Sequence, residues 1–438
     1  MYPDKDNSAR EQKKRIHGDM HEQITDVLEH VGDLLENTIG SSIEHSGLEA
    51  PLLELDSVPD KGAGEISVTD LPQMKERVWY RIPVEDGISG DGSEYHIYAK
   101  SGSGNGLIVF FSGGGVAWNA YTAARPVTGG KMAAKVPNFY WSNLRPATQI
   151  MNINTGITDT LSALNPFLDW NFIVITYATG DFHIGDSKLE YKSEEGEDKI
   201  LHFHGYRNFR AAMDICVRLF PSPERLMIAG DSAGAFAVPA LAGEILEEYY
   251  PACREITLLS DSGTLPYNGW AGIAENVWHA PETIYRVLDD PDILLSWYKA
   301  FAKRWMASRD KEVPRHIRCL YSSSTRDHLL STYYNDLINH VYETNTRMQE
   351  LYHQMLCEQM QKMRALFAPL EESGSGPVFG MYIHEHKDLL RSITGTVHTM
   401  VRHPAFLIPD IGRKSMAEWL RDAESGNVYD VGEGLLQC

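Results

Sequence analysis

Leu226-Met227-Ile228-Ala229-Gly230-Asp231-Ser232-Ala233-Gly234-Ala235-Phe236-Ala237-Val238 decides how this chain is read. Leu226 to Ala229 is a short apolar run of the kind that forms a buried strand. Gly230 to Gly234 turns the chain sharply, and an Ala-rich helical pattern continues through Ala242 and Leu246. In that strand–turn–helix setting a G-x-S-x-G match denotes a nucleophile elbow. Both glycines are steric requirements, because strand and helix approach too closely for side chains beside a strained serine. By itself the motif is common, and an ordinary Gly-rich turn is the plain alternative. The flanking pattern favours Ser232 as a nucleophile.

A serine hydroxyl is a poor nucleophile at neutral pH, so a base, an orienting acid and an oxyanion hole must come from elsewhere. Leu107-Ile108-Val109-Phe110-Phe111 is a strand-like run that ends in Ser112-Gly113-Gly114-Gly115-Val116. Three successive glycines cost chain entropy and make sense where bare N–H groups approach a substrate oxygen. The expected donors are the amides of Gly114, Gly115 and Val116, with Ala233 just after the nucleophile.

In this type of site the acid and then the histidine follow the serine. Three more strand-like runs lie downstream: Glu255–Leu259, Ile317–Tyr321 and Val378–Ile383. Asp327 follows the second of them, and His398 lies in a loop-like stretch after the third, so both reach one edge of a parallel sheet. With 17 histidines and 60 acidic residues, position and not residue type carries this assignment. Asp261 is the rival acid. His384, His386 and His403 are rival bases, each expected to be a surface or hydrogen-bonded histidine.

These residues resemble the pectin acetylesterase family, which includes Notum, over about Gly90 to Phe406. Asp91–Tyr95 with Phe110–Gly115 and Trp118 is similar to the family's first block, and Tyr177–Asp186 to its second. His204–Asn208 leading into Gly230–Gly234 is similar to the third, and Gly395–Met400 with Pro404 and Phe406 to the last. The resemblance implies an α/β-hydrolase-like serine esterase: Ser232 as nucleophile, His398 as base, Asp327 as acid. It implies removal of acyl groups from esters, acetyl groups on saccharide hydroxyls in most members and a long acyl chain from a protein in Notum. Asp181 and His183, in the second block, are expected to border the site, as is Trp118. Secreted members carry cysteines at or near Ala117, Ala178 and Asp231, and Val116 stands where Notum has a tryptophan. Those departures leave alcohol and acyl length open. A fold kept for binding, without catalysis, is the remaining alternative.

The 438 residues carry a net charge of −20 and five cysteines, with no close pairing or metal-ligand spacing among them. Such a charge argues against nucleic acid and anionic lipid as partners, and also against polyanionic de-esterified pectin. The cysteines suggest reduced core thiols. The N-terminal residues lack an apolar signal-like segment, and no stretch approaches 18 apolar residues, so a cytoplasmic location without a membrane span is the expectation.

The fold class expected is α/β, a mostly parallel central sheet flanked by helices, as one catalytic domain over residues 76–438. Residues 1–75 look like a helical extension and linker. Ile24, Val27, Leu28, Val31, Leu34, Leu35 and Ile39 mark an apolar helix face, suited to packing on the body or, alternatively, to forming a homo-oligomer. Residues 264–315, with Trp270, Trp278, Trp297 and Trp305, read as a helical cap insert whose aromatics suit the roof of an acyl pocket and equally a small core of its own, two compatible readings. Residues 328–368 read as two helices broken at Thr344-Asn345-Thr346. His202-x-His204 and His384-x-His386 lack a third ligand at metal spacing, so neither metal nor cofactor is expected.

Overall fold

The computed structural model describes residues 64–65, 74–128, 131, 136–144, 152–307, 315–374, 376–387, 395–409 and 413–437. The amphipathic helix expected at Ile24–Ile39 lies outside them. All the described residues but Lys131 fall in one compact unit.

Eleven strands are described: β1 Gly64–Glu65, β2 Trp79–Ile88, β3 Glu94–Lys100, β4 Gly106–Phe111, β5 Asn171–Ile175, β6 Ser187–Lys192, β7 Asp198–Phe203, β8 Arg225–Asp231, β9 Glu255–Asp261, β10 His316–Ser324 and β11 Val378–His384. Nine of them form one sheet in the order β1-β2-β3-β5-β4-β8-β9-β10-β11. Only β3 runs against its two neighbours; the other pairs are parallel. Parallel strands are covered on both faces, which is why β4, β5, β8 and β9 appear in the sequence as unbroken apolar runs rather than alternating ones. Alternation survives in where the side chains go. Leu107, Val109 and Phe111 enter one hydrophobic core, Ile108 and Phe110 the other, as a period of two requires.

Helices cover the sheet: α1 Ala120–Ala123, α2 Gly205–Leu219, α3 Ala233–Glu244, α4 Trp270–Asn276, α5 Glu282–Tyr285, α6 Ile293–Ala307, α7 His328–Asn339, α8 Thr346–Glu372 and α9 Met416–Glu424. The expected break between α7 and α8 has a local cause: the Asn345 side chain accepts the Met348 N–H and starts α8 afresh. The segment 264–315 does hold helices, α4 to α6. Its Trp270, Trp278 and Trp297 are at most 2 % exposed and belong to the main core, so it is not a separately packed cap. The acidic run Glu194–Glu197 occupies the turn of the two-stranded β6–β7 hairpin, and Asp198 opens β7. Of the cysteines, Cys216, Cys253 and Cys319 are free and buried. Cys357 is disulfide-bonded, a departure from the expected set of reduced thiols. Among the described residues no helix is long and apolar enough to cross a membrane.

Strand order reverses between β4 and β8: the chain steps outward from β4 to β5, then resumes on the other side with β8. Ligands of open α/β sheets bind at the carboxyl ends of the strands at such a switch point. Here it brings the end of β4 beside the end of β8, with their backbones almost in contact. A Cβ on Gly234 would lie 2.0 Å from the Phe111 carbonyl oxygen, and one on Gly230 2.3 Å from that of Gly234. Gly234→Ala is therefore expected to lower unfolding free energy by about 3 kcal/mol, the upper part of the overpacking range. Urea denaturation measures it, and an unchanged midpoint would contradict the close approach.

Candidate active site

Ser232 follows β8 directly and precedes α3, with φ +53° and ψ −121°. Positive φ at a non-glycine residue stores strain, on the order of 1–3 kcal/mol, and persists only where the surroundings enforce it. They do so here. The Ser232 N–H donates to the Asp261 carbonyl at 2.8 Å, and Gly113 lies against it so tightly that a Cβ there would sit 2.7 Å from the Ser232 Cβ.

The Asp327 side chain is fully buried at the start of α7. Its Oδ1 accepts the N–H groups of Leu329 and Leu330, both at 2.9 Å, which fixes the carboxylate by capping the helix. Its Oδ2 accepts His398 Nδ1 at 2.6 Å. The other ring nitrogen, Nε2, is buried and has no hydrogen-bond partner among the described residues. Burial opposes charge on this imidazole, but the Asp327 carboxylate, by charge and by hydrogen bond, outweighs it. Together with Asp231 and Asp261 it raises the His398 pKa above the ordinary value.

Asp261 engages the backbone of the histidine segment instead of its ring. Its Oδ2 accepts the Met400 and Val401 N–H groups at 2.6 and 2.7 Å, while Ser262 Oγ accepts that of Thr399 at 3.2 Å. Burial pushes the Asp261 carboxyl up to about 6. Of the other histidines, His384 departs from expectation. It is 1 % exposed and neither ring nitrogen has a hydrogen-bond partner among the described residues, so it is not a surface histidine and no described residue hydrogen-bonds it. Burial holds its pKa well below normal, keeping it neutral. His403 Nδ1 accepts the Ala405 N–H at 3.1 Å.

The triple-glycine loop separates its amides by use. Gly113 N–H donates to Asp231 Oδ1 at 2.8 Å. Val116 N–H donates to the Phe139 carbonyl at 2.8 Å, so its place among the expected oxyanion donors is corrected: that amide is already spent. The N–H groups of Gly114, Gly115 and Ala233 meet no backbone acceptor among the described residues. Gly115 has φ +80°, and a Cβ there would lie 1.9 Å from the Phe139 oxygen, so only glycine allows the turn that frees them.

Asp181 and His183 support this loop from behind. His183 Nε2 lies 2.9 Å from the Ser112 carbonyl; since a carbonyl only accepts, Nε2 carries the proton. Burial lowers the His183 pKa to about 4, so the ring stays neutral. Asp181 accepts Thr179 Oγ1 at 2.7 Å, the His183 N–H at 3.1 Å and the Gly205 N–H at 2.8 Å. Trp118 packs its ring on Phe139 and Trp270 and does not line the cavity at Ser232.

That cavity is small, about 20 Å³, and is bounded by Gly115, Ser232, Ala233 and the side chains of Phe182, Phe236, Leu265, Leu329, Leu330 and Tyr333. Phe182 stacks on Phe236 at 4.4 Å between centroids and abuts Trp270 and Trp278. Trp270 and Trp278 thus back the cavity wall without reaching the cavity. Val116 also lines the cavity; the sequence marks it as a departure from Notum, and Phe182 falls in the second block of the resemblance. The other apolar wall residues carry no sequence signal of their own. A larger open groove of about 590 Å³ lies between α1 and the β6–β7 hairpin and includes no residue of the site around Ser232. Among the described residues no group of three or more His, Cys, Asp or Glu is placed to hold a metal ion.

Sheet order, elbow and flanking helices define an α/β-hydrolase-like protein. Residues 84–267 match the model of the pectinacetylesterase family, in accord with the resemblance read from the sequence, and the match implies a carboxylic ester hydrolase. It spans the glycine loop and Ser232; Asp327 and His398 lie beyond it. No curated protein matches the chain.

Asp181 offers a test of the scaffold. Burial raises its carboxyl from the ordinary carboxylate range to about 6. Its contribution to stability is therefore complete below the unfolded pKa and lost as pH rises through about 6. Between pH 4 and 7 the unfolding free energy of Asp181→Asn should gain on that of the parent by up to about 3 kcal/mol. Parallel stability–pH curves for the two proteins would show that the carboxyl is not perturbed.

Proposed function

We propose that the protein is a serine esterase acting on small acyl esters, acetyl above all, of hydroxyl compounds such as acetylated saccharides. The observation that carries the reading is the buried His398–Asp327 pair, one imidazole nitrogen tied to a fixed carboxylate and the other without a partner among the described residues, at the same sheet edge as the strained Ser232. In this mechanism Ser232 Oγ attacks the ester carbonyl carbon while His398 Nε2 takes its proton. The carbonyl oxygen, now negative, is held by the amides of Ala233 and of Gly114 or Gly115. Collapse breaks the bond to the alcohol oxygen, which leaves with the proton from the imidazolium. Water, deprotonated by the same imidazole, then attacks the acyl-enzyme and releases the acid and free Ser232. Asp327 stabilises the imidazolium and fixes the tautomer throughout. Asp261 acts differently, by anchoring the backbone two and three residues beyond His398.

The roles of the residues are tested together. Ser232→Ala should abolish labelling by a fluorophosphonate and reduce hydrolysis of p-nitrophenyl acetate by at least about 10³-fold. Asp327→Asn should lower kcat by up to about 10⁴-fold through the wrong tautomer. An unlabelled parent would favour a non-catalytic binding protein, and a fully active Ser232→Ala would remove this serine from the mechanism.

Cavity size supports a short acyl group. A volume of about 20 Å³ exceeds the roughly 10–15 Å³ needed to hold one water molecule, which suits an acetyl methyl and not a palmitoyl chain. Acetyl esters should give the highest kcat/KM in a series from acetate to palmitate. Leu265→Ala, which removes a wall residue away from the proposed reacting groups, should move the optimum to butyrate or hexanoate. A parent optimum at eight carbons or more would favour the long-chain, Notum-like activity instead.

A further inference from the structure

Asp231 and Arg402 form an ion pair within the protein, their side chains 3 % and 8 % exposed. Arg402 Nε and Nη2 both donate to Asp231 Oδ2, at 2.9 and 2.6 Å. The other carboxylate oxygen, Oδ1, holds the Gly113 N–H at 2.8 Å. Arg402 Nη1 reaches Asn152 Oδ1 at 3.3 Å and Ser112 Oγ at 3.4 Å, and Ser112 Oγ donates to Asn152 Oδ1. The guanidinium carbon lies 5.4 Å from the centre of the Phe110 ring. Buried ion pairs are seldom more stabilising than apolar residues of similar volume, so stability is a poor reason for one. Their advantage is geometric, since two donors and a planar acceptor fix direction as well as distance. The location of this pair is informative. Asp231 immediately precedes Ser232, Gly113 immediately precedes the unspent amides of Gly114 and Gly115, and Arg402 lies four residues beyond His398.

We propose that the Asp231–Arg402 pair is a positioning clamp, which holds the serine turn, the glycine loop and the histidine segment in one mutual arrangement. The proposal rests on the esterase reading above. Neither residue touches substrate; each acts through backbone it restrains. The clamp also has an electrical side. The charged groups facing His398 are Asp327 from the start of α7, Asp231 from the end of β8 and Asp261 from the end of β9, and Arg402 balances the second of these. Removing one member of the pair leaves the other unopposed near the imidazole, and the two removals act in opposite directions.

Full-length parent, Asp231→Asn, Arg402→Met and Arg402→Lys are compared on p-nitrophenyl acetate from pH 5 to 9, with thermal unfolding of each. Asp231→Asn and Arg402→Met should lose about 100-fold in kcat, the scale of a small misplacement of reacting groups, with KM little changed. The acidic limb of the rate profile should move to lower pH in Asp231→Asn and to higher pH in Arg402→Met. Arg402→Lys keeps the charge but not the two-donor grip, so its limb should stay at the parent's pH while kcat still falls about tenfold. Should either neutral variant fail to fold, Arg402→Lys decides. Parent kcat in the folded variants, or kcat that falls only in step with Tm at an unmoved limb, would overturn the clamp. Fluorophosphonate labelling of the parent separates the two failures: a parent that does not label rejects the esterase reading, whereas a labelled parent with unaffected variants rejects the clamp alone.

Discussion

Crowding of backbone on backbone at the carboxyl ends of β4 and β8 is the constraint on which the rest depends. The Phe111 carbonyl leaves no room for a methyl group at Gly234, in the first turn of α3, and the turn packed there is the one in which Ser232 has positive φ. Once the two strand ends are this close, the loop after β4 must pass beside the serine, and its glycines let it do so while the Gly114 and Gly115 amides meet no backbone acceptor among the described residues. The strain and the entropy cost of three glycines are local losses, offset by a nine-stranded sheet with a hydrophobic core on each face. This distribution is typical of proteins whose sites are less stable than their frames.

Three buried aspartates stand at successive places around that edge, and their donors, not their positions alone, distinguish them. Asp231 is engaged by a guanidinium and a backbone amide, Asp261 by two backbone amides of the histidine segment, and Asp327 by two amides of its own helix on one oxygen only. Asp327 alone directs an oxygen at an imidazole. The same residue type thus provides a clamp, an anchor and, on the proposed reading, the acid of the triad.

Much of this architecture could be read from the chain because its signals are local. Apolar runs ending in Gly-rich turns gave the central strands to within a few residues, and Asn345 marked the break between α7 and α8. What could not be read depends on contacts distant in sequence. The use of the Val116 amide by Phe139 requires a strand-like pairing 23 residues away that neither segment advertises. Arg402 looked like an ordinary charged residue after the histidine, because its partner lies 171 positions earlier. The antiparallel β2–β3 pair and the β6–β7 hairpin carry too little unbroken apolar sequence to stand out beside the buried strands.

The first turn of α7 serves two ends at once. The amides of Leu329 and Leu330 hold Asp327, while their side chains close the cavity beside Ser232. On the proposed reading, the tautomer of the base and the size of the acyl group are governed by consecutive residues on one rigid element. A lineage that enlarged its substrate by remodelling this turn would disturb its own proton transfer in the same step. The opposite wall, formed by Leu265, Phe182 and Phe236 and backed by Trp270 and Trp278, carries no such double duty. On that reading, diversification of substrate in this architecture is channelled to one side of the pocket, away from the helix that orients the chemistry.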